Sequence, residues 1–153
     1  MDMLSENSTK IINTGILENK ICLFMRQWHN KDCENAPKSL FVFCDDGNTS
    51  NDTQSNIKEC KNAIGIIVKQ TTDNDFDIVR KIIIHCIDKI IRLTENYNEI
   101  IFHVNGFDTE NNKLMANAPK TFAFIENIIN ECFGIDYNEI RSGELFADLQ
   151  LEE

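Results

Sequence analysis

AIGIIVKQTTDNDFDIVRKIIIHCIDKIIRLTENYNEIIFHVNG (residues 63–106) reads as a strand, a long helix and a second strand. AIGIIVK (63–69) is short and near-continuously apolar, the pattern of a strand covered on both faces. In TTDNDFDIVRKIIIHCIDKIIRLTEN (71–96), Val79, Ile82, Ile83, Cys86, Ile87, Ile90 and Ile91 recur at helical spacing and make one apolar face. Asp73, Asn74 and Asp75 stand at the start of that helix, where side-chain oxygens cap free N–H groups and negative charge suits the macrodipole. EIIFHVNG (99–106) is a buried strand closed by glycine. Strand, helix and strand in succession make the crossover unit of a parallel sheet.

SLFVFC (39–44) is a further buried strand, running into the polar loop DDGNTSNDTQSN (45–56), near whose end a short helix is expected. PKTFAFIENIINECFG (119–134) is the second strong helix. Pro119 fits its first turn and Gly134 its end, and Phe122, Ile125, Ile129 and Cys132 line one face. FDTENNKLMANA (107–118) reads as a loop. HNKDCENAPK (29–38) reads as a connector in which Pro37 holds Ala36 away from helix. The apolar runs IINTGIL and ICLFMRQW, within residues 10–28, fit helix and strand equally well. Residues 1–9 are polar and expected to fray, and the tail from Ile135 ends acidic with room for a short strand or helix. The alternation predicts a single α/β domain over residues 10–150, with a mixed or mainly parallel sheet flanked by helices.

The 153 residues carry 15 Lys and Arg against 25 Asp and Glu, a formal net charge of −10 that argues against a nucleic-acid-binding role. Hydrophobic residues at 42% exclude a wholly disordered chain. No apolar run reaches the roughly 18 residues of a membrane-spanning helix. MDMLSENSTK lacks the basic and apolar regions of a signal peptide, so a cytoplasmic protein is expected, with no membrane partner. Cys22, Cys33, Cys44, Cys60, Cys86 and Cys132 include no C-x-x-C pair, which points to reduced, mostly buried thiols and no structural zinc.

SLFVFCDDGN, NAIGIIVK and HVNGFDTENNKLMANAPKTFAFI, spread over residues 38–133, resemble an uncharacterised family of bacteria, phages and large DNA viruses. Its members read as a strand ending Phe-Gly-Asp-Asn, a Gly-Gly-Gln-Ala loop and Asn-Ala-x-Gly-Ile-Pro-Thr-Lys. Asp-Gly-x-Gly-Thr-Gly-Leu-Ala-x-Leu follows, then Ala-Pro-Lys-Thr at a helix start. That layout looks like the macrodomain plan, in which a strand-end Asn and a glycine loop embrace a ribose and diphosphate and a second loop closes over the phosphates. By this resemblance Asp45 takes the place of the family's Asp and Gln54 that of its loop Gln. Asn62, Ala63, Gly65 and Lys69 match the second strand, Gly106, Thr109 and Leu114 the later loop, and Ala118 to Thr121 the helix start.

The departures gather in the ligand loops. Cys44 replaces a Gly, Asp46 an Asn, and polar residues around Asp52 and Thr53 replace the Gly-Gly pair. Ile67 and Val68 replace Pro-Thr, Asp108 and Glu110 replace glycines, and Asn111 an apolar residue. Glycines in such loops let backbone N–H groups approach a phosphate. Carboxylates do the opposite, since like charges about 4 Å apart repel by about 1 kcal/mol even in water. The resemblance therefore implies a kept scaffold with a degraded phosphate cradle.

Asp45, Asp46, Asp108 and Glu110 follow two strands placed in one sheet, at the ends where α/β folds gather ligands. Such oxygens suit Mg²⁺ or Ca²⁺, or are simply solvated acidic loops. The second is the expectation, and no metal or cofactor is assigned. Cys44 and His103 form a nucleophile–base pair only if their strands adjoin. Trp28, with Phe24, Met25 and Arg26, is either an exposed interaction patch or a core anchor. The leading expectation is a non-catalytic module acting on a protein partner or as a homo-oligomer. The rival is a nucleotide or ADP-ribose-type binding protein, or an ADP-ribosyl hydrolase, using Asp45, Asp46, Gln54, Gly106 and Thr109. A third is a viral or phage accessory factor, which rests on where the family occurs.

Overall fold

A computed structural model describes residues 9–13, 19–69 and 72–143. The strands β1 (Thr9–Asn13), β2 (Lys20–Phe24), β3 (Ser39–Asp45), β4 (Ala63–Ile67) and β5 (Glu99–His103) form one sheet in the order β1-β2-β5-β3-β4. β2, β5, β3 and β4 are mutually parallel, and β1 joins β2 antiparallel. Helices α1 (Asn30–Asn35), α2 (Phe76–Leu93), α3 (Leu114–Asn117), α4 (Pro119–Phe133) and α5 (Tyr137–Ser142) complete the single α/β domain, with short 3-10 turns at Gln54–Ile57, Asp73–Asp75 and Thr94–Asn96.

The crossovers assign the two faces. On the first face, Ile83, Cys86, Ile87 and Ile90 of α2 and Phe122, Ile125, Ile129 and Phe133 of α4 bury Leu23, Leu40, Val42, Ile100 and Phe102. On the second, Trp28, Cys33 and Ala36 around α1, with Ile57 of the 3-10 turn, cover Phe24, Phe41, Phe43 and Ile101. Connections from β2 to β3 and from β3 to β4 step one way across the sheet over the second face. The connection from β4 to β5 steps back over the first, as right-handed crossovers require.

Several expectations need correction. Residues 30–35 are helix, because Asp32 accepts the His29 N–H at 2.8 Å and Cys33 buries a single apolar side chain, too little to show as periodicity. The segments within 10–28 resolve as strands β1 and β2. β4 ends at Ile67 and is an edge strand, so Ile67 is 39% exposed rather than covered on both faces. Asp73 does not cap α2; its carboxylate accepts the N–H groups of Lys120 (3.1 Å) and Thr121 (3.2 Å) and so caps α4. Ile82 and Ile91 of α2 are 38% exposed. The supposed loop 107–118 contains α3. Gly134 ends α4 at φ 74°, in the left-handed region that favours glycine. Residues 1–8, and the tail beyond Gly143, lie outside the described residues. Among the described residues no helix is long and apolar enough to cross a membrane.

Candidate functional site

β3 and β5 are parallel neighbours. After β3 the chain turns to the second face, where Ile57 packs; after β5 it turns to the first, where Leu114 and α4 pack. Loops that leave adjacent strand ends in opposite directions leave a crevice between them, the usual ligand position of an open α/β sheet. A cleft of about 460 Å³ lies there. Asp46, Asn48, Asp52, Thr53 and Gln54 form one wall, Asn105, Asp108, Thr109, Glu110 and Asn111 the other, and Gln27 enters from the loop after β2.

Polar side chains tie the two walls together at the floor. The Thr109 hydroxyl donates to the Asp46 carboxylate, and Asn111 Nδ2 donates to the Asp46 carbonyl at 2.6 Å. Gln54 spans the gap between strand ends: its Oε1 accepts the Cys44 N–H at 2.8 Å and its Nε2 donates to the Gly106 carbonyl at 2.7 Å. Gln54 and Asp46 are both buried to do so. Both bonds of Gln54 run to backbone, so a carboxylate in its place would lose the donor to Gly106.

Several amides of these loops are taken up by the chain itself. Gly47 N–H donates to Asp45 Oδ1 (3.2 Å), Asn48 N–H to Asp46 Oδ1 (2.9 Å) and Ser50 N–H to Asn48 Oδ1 (3.1 Å). In the other wall Thr109 N–H donates to Asn112 Oδ1 (2.9 Å), Asn112 N–H to Thr109 Oγ1 (3.1 Å) and Met115 N–H to Asp108 Oδ1 (3.0 Å). These are the short side-chain-to-backbone bonds that Asn, Asp and Thr favour in turns. They occupy donors of the kind a phosphate needs. No Lys or Arg lines the cleft among the described residues, while four carboxylates do.

Of the five residues singled out from sequence, Asp46, Gln54 and Thr109 meet in the cleft. Gly106 contributes its carbonyl to Gln54 and turns the chain at φ 71°, with a Cβ there only 3.2 Å from the Tyr137 ring. Asp45 is not brought in. It is buried on the β4 side, with Oδ2 3.4 Å from Lys58 Nζ, beside Phe43 and Gly65. Asn112, which sequence reading passed over, is fully buried. Its Nδ2 donates to the carbonyls of Val68 (2.9 Å) and Phe107 (3.0 Å), and its Oδ1 also accepts the Leu114 N–H (3.1 Å). The available signal was position: an Asn two residues ahead of a helix start is an Asx-turn former.

Cys44 and His103 do sit on adjoining strands, but strand parity separates them. Leu40 pairs with Ile100 and Val42 with Phe102, so even-numbered residues of β3 share the first face, and Cys44 joins that core. His103 packs against Trp28 on the second face, ring centroids 4.8 Å apart. Burial pushes the Cys44 thiol well up, with Asp46, Asp45 and Asp108 adding to it, so it stays protonated. His103 has Nε2 3.0 Å from the Arg26 carbonyl and accepts the Asn105 N–H at Nδ1 (3.1 Å), which assigns its proton to Nε2. Burial lowers it from 6.5 to about 4, against a smaller opposing pull from the Arg26 carbonyl. Trp28 is a core anchor, with Nε1 donating to the Gln54 carbonyl at 2.9 Å. Among the described residues no three His, Cys, Asp or Glu are arranged to hold a metal ion.

A model of a family of unknown function (DUF7831) matches residues 23–128, and the chain belongs to that family. Comparison with curated proteins and with solved structures finds no match.

Proposed function

We propose that this member of DUF7831 is a non-catalytic, macrodomain-like α/β module that works through protein contacts, its crevice receiving a basic segment of a partner rather than a nucleotide. One observation carries this reading: several loop amides already donate to the chain's own oxygens, and Asp46, Asp52, Asp108 and Glu110 stand in walls that no Lys or Arg lines among the described residues. A diphosphate in that space meets carboxylates, each close pair repelling by about 1 kcal/mol at 4 Å in water and by more where partly buried. A Lys or Arg side chain meets the reverse, and the side-chain amide oxygens of Gln27 and Asn105 supply further acceptors.

The rival reading, a nucleotide or ADP-ribose-type binder, has the cleft's position at the strand ends in its favour, and its volume of about 460 Å³ suits a small molecule. Calorimetric titration separates the two. The expected result is no saturable heat with ADP-ribose or ADP at micromolar concentration. An Arg- and Lys-rich peptide binds in a salt-sensitive way and weakens several-fold in the D108N/E110Q double variant. Micromolar ADP-ribose binding, abolished by Asp46→Ala, would overturn the proposal.

A further inference from the structure

Away from the crevice, α1 and the turn before β4 bring two cysteines together. Cys33 is 1% exposed and belongs to the second-face core, and Cys60 packs against that core half-buried. The two thiols are near enough to act on each other's ionisation. Cys60 Sγ also lies 3.3 Å from Oδ1 of Asn30, one turn before Cys33 on α1. A surface cavity of about 470 Å³, lined by both cysteines with Asn30, Glu34 and Asn62, gives solutes access to Cys60. We propose that Cys33 and Cys60 are a redox-responsive pair that closes to a disulfide and ties α1 to the turn preceding β4.

The chemistry assigns the roles. Burial raises both thiols, Cys33 far more than Cys60, and the neighbouring Cys33 thiol pulls Cys60 part of the way back. Cys60 is therefore the sulfur that ionises first and the one that solutes reach. A peroxide oxidises it: the thiolate attacks one peroxide oxygen, the O–O bond breaks, and with hydrogen peroxide a sulfenic acid and water form. The Cys33 sulfur then displaces the sulfenic oxygen, which leaves as a second water carrying the Cys33 proton. Two thiols lose two electrons in all, and one peroxide is reduced to two waters. Because Cys60 remains above its ordinary value, the reaction responds to sustained oxidant rather than acting as a fast sensor. The closed loop spans residues 33–60 and contains β3 and the wall from Asp46 to Gln54, so oxidation stiffens the segment that shapes the crevice. None of this depends on what the crevice receives.

The test treats the folded chain with hydrogen peroxide, blocks remaining thiols, and maps unreduced peptides alongside a thermal melt. The expected result is a peptide linking Cys33 to Cys60, with a melting temperature raised by roughly 5–15 °C and restored by dithiothreitol. Cys60→Ser, at a half-exposed position, folds normally and shows neither change. Recovery of Cys60 as sulfinic acid or as a mixed disulfide, with Cys33 still free to alkylate, would overturn the proposal.

Discussion

On the first face of the sheet, eight side chains of α2 and α4 meet the strands with little besides apolar contact. On the second, Trp28 sits 5.5 Å from Phe24 and 5.7 Å from Phe41, and polar side chains stitch the surrounding backbone. Asn62 Nδ2 reaches the carbonyls of Cys33, Ala36 and Ser39, Asn56 Nδ2 that of Trp28, Ser55 Oγ that of Cys44, and Trp28 Nε1 that of Gln54. Long helices satisfy their own backbone and need only an apolar stripe. A six-residue helix and a polar loop leave carbonyls that the core would otherwise strand, so Asn, Ser and Trp must answer them. The crevice wall that follows β3 hangs from this stitched face, which holds its shape around the turn at Gly47 (φ 89°).

The sharpest way to break that contrast is a pair of truncations. Trp28→Ala removes a fully buried indole and leaves the Gln54 carbonyl without its donor, a loss of about 3–5 kcal/mol. Ile87→Ala on the first face costs about 2–5 kcal/mol through its cavity alone. Denaturant unfolding measures both, and hydrogen exchange at residues 44–57 tells them apart. Trp28→Ala accelerates exchange there and Ile87→Ala does not. Equal protection in the two variants would mean the loop does not hang from the second face.

The second face also carries a pH response. His103 is held neutral, its folded value lying near 4 against 6.5 when unfolded. A depressed value means the stabilisation is fully present above about 6.5 and is lost as pH falls through about 4, because the unfolded chain takes up the proton first. The window amounts to about 3 kcal/mol between those limits. Protonating Nδ1 would also set an N–H against the Asn105 N–H. Denaturant midpoints at a series of pH values should decline across this window in the parent chain and flatten there in His103→Gln. An unchanged slope in the variant would assign the decline to other groups.

Legibility followed the same division. SLFVFC, the stripe through Ile83 and Ile90, and Phe122 to Phe133 announced themselves because apolar area recurs at the period of the element that buries it. Helix α1 did not, since its buried positions are Asp32 and Cys33 and its job is to hold a crossover. Gln54 and Thr109 were reached through resemblance to family loops, and both do lie at the cleft. Asn112 was not, because its partners at Val68 and Phe107 are set by tertiary folding and an Asn-rich chain hides one Asn among many. Asp73 was placed on the wrong helix for a related reason: a capping residue is legible locally, but the helix whose N–H groups it meets is decided by packing.

Asp73 is also the smallest test, because it is a polar stitch between the two long helices of the face whose helix contacts are otherwise apolar. Its carboxylate serves the first turn of α4, receiving Lys120 N–H, Thr121 N–H and the Thr121 hydroxyl from a segment that precedes α2. Removing a side-chain cap costs about 1 kcal/mol, so Asp73→Ala should lower unfolding stability by that much, well below Trp28→Ala. Asp73→Asn keeps an acceptor and loses only the charge at the helix N-terminus. It should therefore fall between parent and Ala, with its deficit shrinking as salt is added. If Asp73→Ala instead approached the cost of Trp28→Ala, α4 would be docked by its cap as much as by Ile125 and Ile129. The first face would then be stitched like the second.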